Sequence, residues 1–146
     1  MTASEAKKVL ERAELKVTQQ RIAILMALQN RDDHPTAETV YSVIQETNPG
    51  ITLATVYKIL DTLSTSGIIN RVMTQEGIKR YDPIIDNHGH IYCNNTNEII
   101  DFYDEELNSL IHSFIAKKKV HNLNIKNVSL QICGDKVDPE KKVQIN

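Results

Sequence analysis

The chain has 146 residues, of which 40% are hydrophobic and 25% are charged, and its formal net charge at pH 7 is −2. This length favours one domain or two small ones, and any basic surface for nucleic acid must be local. No apolar run approaches the roughly 20 residues of a membrane span, and the N-terminus lacks the apolar core of a signal peptide. Two cysteines cannot form a disulfide framework, so we expect a cytoplasmic protein with no membrane partner.

Four helices are predicted in the first half of the chain. The segment SEAKKVLERAEL begins with Ser4 as N-cap, TQQRIAILMALQN follows Thr18, and TAETVYSVIQETNPG begins with Thr36. The fourth helix, TLATVYKILDTLSTSG, has apolar residues at helical spacing and ends near Gly67. Its buried stripe is predicted to comprise Leu53, Val56, Ile59, Leu60 and Leu63.

Two short β-forming runs, IINRVM and IKRYD, follow the fourth helix and flank TQEG, which predicts a hairpin with glycine in its turn. Helices followed by such a hairpin are in the order of a winged helix-turn-helix. We assign this domain to residues 1–83, where ten basic residues balance ten acidic ones.

The first turns of the fourth helix leave polar side chains outside the apolar stripe, namely Thr52, Thr55, Tyr57 and Lys58. Hydroxyls, a phenol and an amine at this place suit a recognition helix, whose first turns meet base edges and phosphates. A solvated face with one half-packed tyrosine is the plainer interpretation of these residues taken alone.

The second half changes to β-forming runs. HGHIYC, EIIDFYD and NIKNVSLQIC predict strands, and DEELNSLIHSFIAKKK predicts an amphipathic helix before the last of them. Because a β-β-α-β unit of this size has little interior, we expect self-association through a sheet edge and the apolar helix face. The predicted fold class is α+β, with an N-terminal winged helix-turn-helix domain followed by a small α/β dimerisation domain at residues 84–146.

A candidate metal site lies in DNHGHIYCNNTNEIID. In a strand, His88 and His90 project from the same face, and Cys93 projects from the opposite one. If NNTN is the turn of an antiparallel hairpin, Cys93 pairs with Glu98, and the same register places His90 opposite Asp101. Two imidazoles and a carboxylate favour Mn²⁺, Fe²⁺ or Zn²⁺. A polar sheet face is the ordinary explanation of two such histidines, but Asp101 inside an apolar run needs a partner or a metal.

Together these segments resemble the ferric uptake regulator (Fur) family of metal-responsive transcription repressors. The resemblance covers nearly the whole chain and is carried by LKVTQQRIAIL, HPTAETVY, ITLATVYKILDTLSTSGII, GIKRYD, HGHIYC and EIIDF in this order. It implies a homodimer that binds double-stranded operator DNA when Fe²⁺ or Mn²⁺ is bound, with Zn²⁺ as a substitute. The implied metal ligands are His34, Asp82, His88, His90 and Asp101. Since they come from both domains, the ion would fix the orientation of the recognition helices.

Aspartate rather than glutamate at Asp101 resembles the peroxide-sensing branch of the family (PerR). That resemblance implies that Fe²⁺ reacts with hydrogen peroxide, that the oxidant attacks His34 and His88, and that the repressor then leaves DNA. An iron- or manganese-sensing repressor without peroxide chemistry is the alternative. A mononuclear metalloenzyme is a third interpretation. The sequence offers it no substrate-binding signature and no general base, so we predict no enzyme and no small-molecule substrate besides hydrogen peroxide.

The chain departs from the family at the structural zinc, which two C-x-x-C pairs hold in most members. Cys93 is followed by Thr96 at the position of the second cysteine, and no cysteine follows Gly134. Two thiolates at most cannot form a closed four-sulfur site, so we expect no structural zinc. The sequence gives no role to Cys133, His112 or His121.

For DNA, the resemblance implies contacts from the recognition helix, from the residue before the second helix and from the wing. Groove contacts are expected from Thr52, Thr55, Tyr57 and Lys58, and further contacts from Lys16, Arg71 and Arg80. The two wing arginines would contact phosphates. A structural pair between Arg80 and a neighbouring acid is the alternative that the sequence leaves open.

Overall fold

A computed structural model describes residues 1–83, 88–125 and 128–145, and the chain divides into two compact units, Met1–Ile85 and Asp86–Asn146. The predicted boundary between residues 83 and 84 lies at the edge of residues 84–87, outside the described residues. No helix among the described residues is long and apolar enough to cross a membrane.

Within its described residues, the first unit contains four helices and a two-stranded hairpin, as predicted. Every helix begins after a threonine whose side chain accepts a backbone N–H, which satisfies a donor that the helix itself cannot. Ser4 is not the first cap. Thr2 takes that place because it forms a reciprocal capping box with Glu5. The helices are α1 Ala3–Arg12, α2 Gln19–Gln29, α3 Ala37–Ile44 and α4 Leu53–Thr65.

The core of the first unit lies between these helices and the hairpin. The predicted stripe of α4 is buried at Val56, Ile59, Leu60 and Leu63, whereas Leu53 is half-buried. Strands β1 (Asn70–Met73) and β2 (Lys79–Asp82) pair antiparallel and form the wing. The side chain of Tyr81 in β2 is fully buried in the same core, which anchors the wing to the helices.

The second unit contains β3 Gly89–Cys93, β4 Glu98–Phe102, α5 Glu105–Lys117 and β5 Gln131–Gly134. Among the described residues these strands form one sheet in the order β4-β3-β5, in which β3 is antiparallel to β4 and parallel to β5. The β-β-α-β order predicted from the sequence is confirmed, and so is the α+β fold class. Asp104 caps α5 by accepting the N–H of Leu107, but no side chain of α5 is buried by the described residues.

Candidate metal centre

The first group of metal-ligand candidates lies in the first unit. His34 lies between α2 and α3, and Asp82 ends β2, yet His34 Nε2 is 3.9 Å from Asp82 Oδ2. Their side chains are 2% and 1% exposed. A buried carboxylate must be paired with a cation or with hydrogen-bond donors, because solvation no longer stabilises its charge.

Three hydrogen bonds to backbone carbonyls tie β2 to the segment that contains His34. The N–H of Tyr81 donates to the Pro35 carbonyl at 3.0 Å, which ties β2 to the segment before α3. Arg80 Nη1 is 3.5 Å from the carbonyl oxygens of Asp33 and His34. His34 itself has φ +48°, a left-handed conformation that costs of order 1 kcal/mol and is retained only where surrounding contacts impose it.

The second group lies in the second unit, where His88, His90 and Asp101 converge. The predicted register is confirmed, with Cys93 opposite Glu98 and His90 opposite Asp101. Asp101 Oδ1 is 3.2 Å from His88 Nε2 and 3.4 Å from His90 Nε2. The two imidazole Nε2 atoms are 3.1 Å apart.

His88 differs from the expectation that both histidines lie in a strand. Strand β3 begins at Gly89, so His88 precedes it, and its side chain is nevertheless almost fully buried. The next residue, Gly89, packs closely against its own neighbours, since a Cβ there would lie 2.8 Å from the Leu130 carbonyl oxygen and 3.3 Å from Phe102 Cδ1.

These spacings fit a bound divalent cation. Ligand atoms about 2.0–2.2 Å from one ion, in neighbouring positions around it, lie about 3 Å from each other. The three distances in this group, 3.1–3.4 Å, have that size. Imidazole suits Fe²⁺ and Zn²⁺, and carboxylate suits Mn²⁺, so nitrogen and oxygen donors together fit the metals expected from the sequence.

The residues expected to meet DNA all lie in the first unit, at its helices and wing. Thr52 caps α4 by accepting the N–H of Thr55 at 3.2 Å, and the two hydroxyl oxygens are 3.0 Å apart. Lys58 is exposed one turn further on, and Lys16 is exposed before α2. In the wing, Arg71 lies 3.7 Å from a carboxylate of α4, that of Asp61.

Tyr57 has a partner that the sequence did not indicate. Its hydroxyl donates a short hydrogen bond to the Glu38 carboxylate, which joins α3 to α4. This bond lowers the pKa of Glu38 and raises the pKa of Tyr57, because it stabilises the ionised carboxylate and the protonated phenol. The two residues are 19 positions apart, so no local pattern reveals the contact.

The turn after β3 is held by polar contacts among the described residues. Asn95 Nδ2 donates to the Lys136 carbonyl at 2.9 Å, and Asn95 Oδ1 accepts the Lys136 N–H at 2.9 Å. Lys136 Nζ, on a side chain only 6% exposed, lies 2.7 Å from Glu98 Oε2. Both cysteines are among the described residues and are free thiols, Cys93 buried and Cys133 exposed.

The chain is similar in sequence and structure to known regulators. The sequence profile of the ferric uptake regulator family matches residues 12–133. The peroxide operon regulator of Bacillus subtilis (strain 168) is 33% identical over 143 residues, which cover 93% of this chain and 98% of that protein.

Two solved structures are similar over nearly their whole length. The ferric uptake regulator from Pseudomonas aeruginosa with manganese has a TM-score of 0.78 and 27% identity, covering 91% of this chain and 98% of its own. The Campylobacter jejuni peroxide stress regulator has a TM-score of 0.69 and 27% identity, covering 94% and 98%. The chain therefore belongs to the ferric uptake regulator family and is a metal-responsive transcription regulator rather than an enzyme.

Proposed function

We propose that the protein is a cytoplasmic, metal-dependent repressor that binds double-stranded operator DNA as a homodimer and is released by peroxide. The observation that carries the proposal is the convergence of His88, His90 and Asp101 within 3.1–3.4 Å of one another. Three such donors without sulfur form the larger part of a site for Fe²⁺ or Mn²⁺, with Zn²⁺ as a substitute.

The switch in DNA affinity would come from ligands in both units. His34 and Asp82 belong to the first unit, and the three converging donors belong to the second. One ion held by all five side chains would restrict the motion of the first unit relative to the second. Two recognition helices can meet successive turns of DNA only at the correct separation, so the ion would raise affinity by preorganisation.

Release by peroxide would act through the ligands themselves. Bound Fe²⁺ would supply the electrons that break the O–O bond of hydrogen peroxide. For each peroxide, one oxygen atom would leave as water and the other would add to a ring carbon of one ligand, His34 or His88. The proton and electrons that the ring gives up would complete the water and return the iron to Fe²⁺. The modified imidazole would be a poorer ligand, which loosens the first unit from the second. Support comes from Asp101 and from the 33% identity to the peroxide operon regulator of Bacillus subtilis. Mn²⁺ in the same place would leave the histidines intact.

The DNA-binding face would consist of the start of α4, the wing and the segment before α2. Lys58, Lys16, Arg71 and Arg80 would contact phosphates or groove edges, together with Thr52, Thr55 and Tyr57. Arg71→Ala should weaken binding to all sequences alike and reduce the dependence of the affinity on salt, because a phosphate contact carries no base information.

No structural zinc is part of the proposal. The contacts of Asn95 and Glu98 with Lys136 would replace it at the turn after β3. If the purified protein contained one tightly held zinc per chain with sulfur ligands, this part of the proposal would be wrong.

A second candidate is a repressor that senses iron or manganese supply without peroxide chemistry. The similarity to the manganese-containing structure from Pseudomonas aeruginosa favours it. In that case the affinity for DNA would follow metal occupancy alone, and the histidines would stay unmodified.

One experiment separates the two candidates. Operator binding is measured with Mn²⁺ and with Fe²⁺, before and after a sub-stoichiometric pulse of hydrogen peroxide. The masses of the peptides that contain His34 and His88 are then measured by mass spectrometry. Loss of binding with one added oxygen in the Fe²⁺ form alone supports peroxide sensing, whereas loss only on chelation supports metal sensing.

Two internal controls come from the exposed histidines His112 and His121, which should gain no oxygen in either form. Operator binding that does not depend on metal would contradict both candidates. Asp82→Ala and His90→Ala, one from each unit, should each abolish the metal dependence. A chain that keeps it with either substitution would show that the two units do not share an ion.

A further inference from the structure

We infer that Tyr103 is a positioning residue for the metal centre, whose ring fixes the orientation of the His88 imidazole. This inference rests on the proposed function, since it concerns the same ligand set. The two rings are stacked, with centroids 5.0 Å apart and an angle of 24° between their planes.

The position of His88 explains why it needs such support. It precedes β3 and so is not held by the regular pairing that places His90 opposite Asp101. A metal ligand requires its ring to point one nitrogen at the ion, and rotation about the side-chain bonds would turn Nε2 away.

Two rings restrict that rotation. Tyr103 lies stacked on the imidazole of His88. The ring of His90 also meets the His88 imidazole edge-on, with centroids 4.6 Å apart and an angle of 63°. His88 Nε2 lies 3.2 Å from Asp101 Oδ1. Stacked and edge-to-face geometries are the favourable arrangements of aromatic rings.

The strand period brings Tyr103 to this place. Side chains two residues apart point to the same side of a strand, and Tyr103 follows Asp101 by two, one residue past the end of β4. Apolar burial does not account for its position, because 58% of Tyr103 remains exposed. At this place its ring stacks on His88.

The test compares Mn²⁺ affinity between variants, measured by the electron paramagnetic resonance signal of free Mn²⁺, a metal that does not react with peroxide. Tyr103→Leu removes the ring and should weaken binding by about three- to tenfold, the factor that corresponds to losing one aromatic ring contact. Tyr103→Phe and Tyr103→Trp keep an aromatic ring and should bind within about twofold of the wild type.

The melting temperature of each variant without metal separates orientation from folding. Because Tyr103 is exposed, Leu should leave that temperature unchanged, and Tyr103→Gln serves as a second variant without a ring and without added apolar surface. Both should lose affinity alike. If wild-type protein failed to bind Mn²⁺, the proposed function itself would fail. If it bound Mn²⁺ and the Leu and Gln variants bound equally tightly, only the role of Tyr103 would be overturned.

Discussion

The two units of the chain bury apolar side chains to very different extents. In the first, residues from all four helices and the wing enclose a common core, in which Leu10, Leu60 and Tyr81 are fully buried. In the second, the described residues bury Tyr92, Cys93 and Ile99 within the sheet but no residue of α5. Burial of apolar surface is the main stabilising contribution to folding, so among the described residues the first unit gains more of this contribution than the second.

This difference is consistent with the proposed function, in which the first unit binds DNA and the second forms the dimer. A DNA-binding unit must keep its fold whether or not metal is bound. A dimerisation unit can bury its apolar surface against the partner chain instead. Metal ligands on both units would then connect a stable part with one that depends on assembly.

The largest expected effect is a cavity in the core of the first unit. Leu60 is 0% exposed, so Leu60→Ala should lower the free energy of unfolding by about 2–5 kcal/mol, through lost apolar contact and an unfilled cavity. Urea unfolding followed by circular dichroism measures it. Leu123→Ala, at a site 63% exposed, should change it by less than about 0.5 kcal/mol. Equal losses for the two variants would mean that the first unit is no better packed than the second.

The next effect tests what covers α5. Phe114 is 58% exposed on the apolar face of this helix, and Phe114→Glu should raise the dissociation constant of the homodimer about 30-fold or more, as loss of a buried aromatic anchor does. Analytical ultracentrifugation measures the constant. Ser109→Glu places the same charge on the opposite side of α5 and should leave the dimer intact. A dimer insensitive to Phe114→Glu would show that α5 is not part of the interface.

A smaller effect is expected at the turn after β3. Asn95→Ala removes both hydrogen bonds to the Lys136 backbone and should cost about 1–2 kcal/mol. Thermal unfolding of the dimer in EDTA, which removes bound metal from both proteins alike, measures this loss. Asn94→Ala is the matched control, because no described contact involves its side chain. An Asn95→Ala variant as stable as the wild type would mean that these two hydrogen bonds do not stabilise the turn.

Features set by short-range rules could be predicted from the sequence. His90 could be placed opposite Asp101 from the NNTN turn and the two-residue period of strands. A register shift of one residue would move every side chain of the strand to the other face of the sheet. The wrong prediction of Ser4 as the first cap shows that the type of one residue does not determine where a helix begins. Thr2 and Ser4 are both capping types, and the Thr-x-x-Glu spacing to Glu5 decided between them.

Contacts between distant segments could not be predicted in this way. His34 meets Asp82 because the Tyr81 N–H bonds to the carbonyl of Pro35, 46 positions earlier, and only the family resemblance suggested that pairing. The bonds between Asn95 and Lys136 span 41 positions and had no sequence signal. Side-chain packing, rather than local propensity, determines such contacts.

The smallest expected effect lies on the exposed face of the well-packed unit, where Tyr57 donates to Glu38. The pKa of Glu38 lies below its ordinary value of 4.5 because of this bond, so Tyr57→Phe should raise it towards 4.5 in a nuclear magnetic resonance titration. Since the folded pKa is the lower one, the stability from this bond is fully present above about pH 4.5 and is lost as the pH falls through the folded value. The stability difference between wild type and Tyr57→Phe should therefore be constant near neutral pH and shrink in acid. Tyr41→Phe, also in the first unit, should leave the pKa of Glu38 unchanged. An equal pKa in all three proteins would mean that α3 and α4 are joined by their apolar packing alone, with Tyr57 available to DNA without first giving up a partner.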